Sequence, residues 1–191
     1  MFALVKNEMV TNPFTQETSE VEVIKLFAPY TLFEDKFGTQ HSPDTLINWT
    51  VDQKQDHGIY DVAYATRADD RFYTIVENAP VFDSVEKIVK VSFTATPKEL
   101  NDGEPDEVTG KATAGLKTQW INSLKQTANT MLAGTDWMLV RKIERNVDIP
   151  SATTTERAAI VAEVNRLETA ITAVTTVEQL ISAVNSANFA A

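Results

Sequence analysis

Few residues in this chain could do acid–base or nucleophilic chemistry. It has two histidines, His41 and His57, and no cysteine. A serine-type hydrolase needs a nucleophile, a base beside it and a third group that orients the base. Both histidines fall in polar, turn-like stretches, and no Gly-x-Ser-x-Gly turn accompanies them, so they read as solvated loop residues. A phosphate cradle needs clustered glycines, and the six present are scattered. Asp56-His57, Asp69-Asp70 and the acidic run from Asp102 to Glu107 concentrate carboxylates, but none has the spaced ligands of a calcium loop. Glycoside cleavage would need two carboxylates facing one groove, and no pair is singled out. The expectation is a protein without catalytic residues, cofactor or metal ligands.

Composition narrows the class further. At 191 residues the chain can hold one large domain or two small ones. The net charge of −10 is unevenly placed: residues 1–110 carry nine basic and twenty acidic side chains, whereas residues 111–191 carry eight and seven. That balance argues against nucleic acid, whose phosphates require clustered Lys and Arg. No apolar run approaches the roughly 18 residues that span a bilayer, so no membrane association is expected. The opening MFALVKNEMV is too short in its apolar part for a signal-peptide core.

Periodicity then supplies the elements. Phe2 to Val5 and Met9 to Val10 read as a hairpin turning at Lys6-Asn7-Glu8. Glu20 to Phe27 alternates but slips after Val23, which predicts a bulge. Thr50 is placed to cap a short helix over Val51 to His57, with Gly58 to end it. Ile59 to Ala65 and Phe72 to Val76 read as strands, and Val81-Phe82 should pair with Ile88 to Phe93. Thr96-Pro97-Lys98-Glu99 carries a helix-start signature, and the acidic run after it reads as a linker. Beyond Thr113 the chain is helical: Leu116, Trp120, Leu124, Ala128 and Met131 share one face. Gly134 is expected to stop that helix, with a new one from Thr135-Asp136 to Pro150. Thr153 with Glu156 and Thr175 with Glu178 predict two further capping boxes. The fold class expected is α+β, with a mainly antiparallel β domain over 1–100, an acidic linker over 101–112 and a helical bundle over 113–191.

Two residue sets look suited to recognition. Phe27, Tyr30, Phe33, Phe37 and Trp49 crowd one stretch, either as a small core or as a sugar- or partner-binding surface. Ile160, Val164, Leu167 and Ile171 step at heptad-like intervals and form a stripe that suits a bundle seam. With Trp137, Val140 and Arg141 on the preceding helix, these four are the candidate partner-binding residues, and oligomerisation is expected.

Thr135-Asp136-Trp137, Asp148-Ile149-Pro150 and the segment from Gly58-Ile59-Tyr60 to Pro80 resemble bacteriophage tail-associated proteins, in which a β-rich front precedes a helical tail. The resemblance implies a non-enzymatic tail, fibre or baseplate component of the virion, assembled in the host cytoplasm and bound to other tail or fibre subunits. A tail-fibre assembly chaperone that leaves the particle is the alternative within that family, and a carbohydrate-binding module the alternative outside it. The family offers no catalytic residues to carry over.

Overall fold

The run Phe2-Ala3-Leu4-Val5 has no polar residue to turn toward water, so a strand built from it must be covered on both faces. A computed structural model, which describes residues 1–189, has that arrangement. Strand β1 (Phe2–Thr11) sends Leu4 against Phe33, Leu46 and Ile59, while Ala3 and Val5 pack with Val89 on the other face. It does not turn at Asn7. It runs straight to Thr11 and pairs with β2 (Thr18–Phe27) without interruption, from Phe2↔Phe27 to Thr11↔Thr18. The turn falls instead where Asn12 Oδ1 accepts the amides of Phe14 and Thr15. The slip in β2 is therefore no bulge. Ile24 and Leu26 join the Val89 face and Phe27 the Leu4 face, because both faces are covered at that end.

The chain continues through β3 (Phe33–Glu34), β4 (Gln40–His41), α1 (Pro43–Asn48), α2 (Val51–Asp56), β5 (Ile59–Tyr64), β6 (Tyr73–Glu77), β7 (Val81–Asp83), β8 (Ile88–Val91) and β9 (Phe93–Pro97). The main sheet has the order β2-β1-β5-β8-β7; only the β5–β8 pairing is parallel. β3–β4 and β6–β9 are separate two-stranded ribbons. The expected β7–β8 hairpin forms, its turn held by Asp83 Oδ1 accepting from the amides of Val85 and Glu86.

Three helices follow: α3 (Leu116–Arg145), α4 (Ser151–Ala173) and α5 (Val177–Asn185). The architecture is α+β. Residues 1–68 and 75–95 form one compact unit; residues 69–74 and those from 96 onward form the other. No helix starts at Thr96-Pro97, which closes β9, and the Lys98 amide that follows donates to Phe72 O. The acidic run is a loop folded into the helical unit. Leu100 packs on its core, and Asp102 Oδ1 accepts the Gly115 amide at 2.7 Å.

Leu116, Leu124, Leu167, Ile171, Val177 and Leu180 fill the core of that unit, with Phe72 stacked on Trp120 at 5.2 Å. α4 starts directly after Pro150, so Thr153 lies inside its first turn and caps nothing. The last cap sits one residue later than expected: Thr176 and Gln179 make the reciprocal pair at α5.

Gly134 does not stop α3. The helix runs through it and ends at Asn146, which is left-handed with φ 51° and donates its amide to Lys142 O. A helical glycine costs about 1 kcal/mol relative to alanine, less than the packing of the flanking turns supplies. A Cβ on Gly134 would meet no atom within 4 Å. Gly134→Ala is therefore expected to raise the unfolding free energy by about 0.5–1 kcal/mol, measured by urea denaturation followed at the helical circular-dichroism band. A loss of stability would mean the helix breaks at this point in solution.

Candidate functional site

The β3–β4 connection closes on itself around one side chain. Asp35 donates its amide to Thr39 O, and Gly38, at φ +82°, donates to Asp35 O. Asp35 Oδ1 accepts the amides of Phe37 and Thr39, both at 2.9 Å. Its other oxygen, Oδ2, is met by His41 Nε2 at 2.9 Å and His57 Nδ1 at 2.8 Å. Four donors thus fill the carboxylate, whose residue is only 1% exposed.

Each histidine is fixed by its own element. His41 ends β4, opposite Phe33, and its ring stacks on that of Phe33 at 5.3 Å. His57 is the C-cap of α2, a helix opened by the Thr50–Gln53 capping box. Its ring stacks on Trp49 at 4.3 Å, while Trp49 turns an edge to His41 at 4.8 Å. The His57 carbonyl accepts the Lys36 amide and the Gly58 carbonyl accepts the Val5 amide, tying the cluster to β1. Gly58 has φ +76°, and a Cβ there would lie 2.8 Å from Val5 O and 2.9 Å from Lys36 Cβ. Only glycine fits this turn.

Burial pushes the Asp35 carboxyl toward its neutral form. Hydrogen bonds from His41, His57 and the Thr39 and Phe37 amides outweigh it and hold the pKa well below the usual carboxylate range. The group is an anion that orients two imidazoles, and a carboxylate orienting an imidazole is two of the three members of a catalytic triad. The hydroxyl next in sequence, Ser42 Oγ, is 3.4 Å from Thr45 Oγ1. One ligand atom from each of Asp35, His41 and His57 lies within 4.8 Å of the other two, a donor set that can hold a transition-metal ion.

No family model, curated protein or solved structure matches this chain.

The expectation of two solvated histidines is corrected: both are half-buried and joined to Asp35. Twenty-two residues separate Asp35 from His57, so spacing alone could not reveal the pairing. The available signal was the packing of Asp35 and both histidines among Phe33, Phe37 and Trp49 in one short stretch. Phe27 and Phe33 stack on each other at 5.2 Å, and both rings pack with Leu4 and Trp49. The core reading of the aromatic stretch holds for these rings, which form no open sugar platform. Tyr30 and Phe37 are exposed. The other acidic points serve local structure: Asp69 pairs with Arg71, and Asp106 accepts the amides of Val108 and Thr109.

The partner-binding candidates divide. Leu167 and Ile171 are buried in the chain's own helical core and offer nothing to a partner, which corrects that expectation. Ile160 and Val164 are half-buried. Trp137 and Val140 are exposed, with the Arg141 guanidinium 4.8 Å over the Trp137 ring. In the Thr135-Asp136-Trp137 motif, the first two side chains hold α4: Arg157 bonds Leu132 O and Thr135 Oγ1 and pairs with Asp136 at 2.9 Å. A cavity of about 140 Å³ between Trp120, Leu124, Leu167, Ile171 and Val184 has no ionisable group in its walls.

Asp35→Asn puts an amide where two ring nitrogens donate, and is expected to cost on the order of 3–5 kcal/mol at neutral pH. The wild-type pKa is depressed in the folded state, so this contribution is full above about pH 4 and is lost as pH falls toward the folded value. Urea unfolding of both proteins across that range should show their difference shrinking on acidification. A difference that stays constant would remove the carboxylate charge from the account.

Proposed function

We propose that this chain is a non-enzymatic bacteriophage tail protein, an accessory or structural component that binds another tail subunit through the far half of the α3–α4 hairpin. The observation that carries the reading is an apolar face without a third helix. α5 packs with Leu116, Leu124, Leu167 and Ile171, all in the near half. Among the described residues no α3 residue beyond Ala128 belongs to that core, and Trp137, Val140 and Ile143 stand 53%, 52% and 84% exposed. A two-helix hairpin left with such a face gains most of its stability from whatever covers it.

The chemistry of the patch suits a protein partner. Tryptophan and arginine dominate interface energetics, and here they are stacked together, with Lys142 and Arg145 close by in sequence. The partner implied is a tail subunit with an apolar groove and an acidic rim. The motif that carries the resemblance to tail-associated proteins lies in this same half, with Thr135 and Asp136 holding the hairpin closed and Trp137 left outside. The carbohydrate-binding alternative loses support, because the rings of Phe27, Phe33 and Trp49 are engaged in packing.

Peptide quantification in purified particles of the encoding phage, referenced to the major tail protein, tests the reading. A fixed ratio is expected, and a Trp137→Ala, Ile143→Asp double variant should fold normally yet fall at least about tenfold in incorporation. Abundance in infected cells without incorporation would mark a chaperone that departs. Absence from both would end the tail assignment.

A further inference from the structure

We infer that Asp35, His41 and His57 form a binding site for one divalent zinc-like ion, with water completing the coordination. The three donor atoms are a carboxylate oxygen and two imidazole nitrogens, the ligand types that zinc takes with an open fourth position. They come from three different places in the fold, the β3–β4 loop, the end of β4 and the C-cap of α2, yet they converge within 4.8 Å. Zinc bonds of about 2.0–2.2 Å place tetrahedral ligands about 3.3 Å apart. The two carboxylate–imidazole spacings of 2.9 and 2.8 Å need to open by about half an ångström, and the two imidazole nitrogens, within 4.8 Å of each other, to close by at most about 1.5 Å to admit an ion.

Everything around the donors fixes their direction. Asp35 Oδ1 is taken by two backbone amides, which leaves Oδ2 aimed between the rings. Phe33 and Trp49 hold the ring planes, and Gly58 fixes the backbone that carries His57. Such outer contacts orient metal ligands and tune their affinity. Each ring points one nitrogen at the same oxygen, Asp35 Oδ2. A bound ion replaces both hydrogen bonds, and each metal-bound ring then carries its proton on the far nitrogen, His41 Nδ1 or His57 Nε2. The rings are 17% and 34% exposed, so solvent can receive the displaced donors and supply the remaining ligand.

Charge favours the same occupant. The charged-group contacts of the buried Asp35 anion are the two histidines alone, and no lysine or arginine pairs with it among the described residues. A divalent cation would supply the missing counter-charge. A purely structural hydrogen-bond hub is the competing account, and it predicts no metal affinity.

The test uses the full chain, stripped with a chelator and dialysed against Zn2+. About one zinc per chain is expected by elemental analysis, with a rise in the thermal midpoint that chelator reverses. The variant pair His41→Gln and His57→Asn keeps an amide nitrogen near each donor position but removes the imidazole ligands. It should fold like the wild type and lose the zinc. Because the chain has only these two histidines, their acylation by diethyl pyrocarbonate is an independent readout: zinc should protect both in the wild type. Folded wild type that retains no zinc, or histidines that react equally with and without it, would overturn the site. Equal zinc uptake by the double variant would do the same, placing the ion elsewhere.

Discussion

A carboxylate taken out of water must find donors for both oxygens, and in the sheet-bearing unit this requirement organises everything from Phe33 to Gly58. Asp35 meets it with two amides from its own loop and two imidazoles from outside it. The amides shape the loop into a tight closure; the imidazoles tie that loop to β4 and to the end of α2. Gly58 then passes the restraint to β1 through the Val5 amide, so the centre of the sheet and the polar cluster are fixed together. Leaving one of those partners out would strand a buried charge, a loss larger than that of an ordinary hydrogen bond. The three aromatic rings of Phe33, Phe37 and Trp49 follow from this arrangement. They wall the imidazoles without competing for their nitrogens.

The helical unit solves a different problem with one arginine. α3 is 30 residues long, and α5 covers only its first turns and those facing them on α4. Further out, Arg157 reaches from α4 to Leu132 O, Thr135 and Asp136, so a charged side chain does what a buried leucine does nearer the core. A polar clamp of this kind sets register between two helices without burying much area. It also leaves the outward residues, Trp137 and Ile143 among them, exposed. The expectation that Leu167 and Ile171 face a partner failed for the complementary reason: α3 and α5 already cover that part of the stripe.

Much of the fold was legible because local signals and burial agreed. Thr50 stands before α2 as capping requires, and β5, β7 and β8 stand where alternation placed them. Errors arose where tertiary contacts overrode a local preference. Gly134 has the composition of a helix end, but the turns on either side are held by Arg157 and the helix continues. Thr96-Pro97 has the composition of a helix start, yet the residues after it lack an apolar face, and the Lys98 amide goes to Phe72 instead. The site was the least legible part. A histidine in a polar stretch gives no sign of what it faces, and the carboxylate that organises both rings is remote from His57 in sequence. Concentration of aromatic rings beside a lone aspartate was the one local trace of it.

The same geometry that satisfies the buried carboxylate prepares it for a cation, and the two roles do not compete for residues. Hydrogen bonds from two imidazoles already gather the three donors around one carboxylate oxygen, so an incoming ion needs the rings to shift but not to be brought from elsewhere in the fold. The field around the site acts in the same direction. Residues 1–110 carry eleven more acidic than basic side chains, and a surface of that sign concentrates cations near it, the more so at low ionic strength. What limits affinity is the small ligand count, since three protein donors and a water hold an ion less tightly than a closed four-ligand structural site. A site of this kind exchanges its ion with the surroundings, and the carboxylate oxygen it leaves is met by the two ring nitrogens.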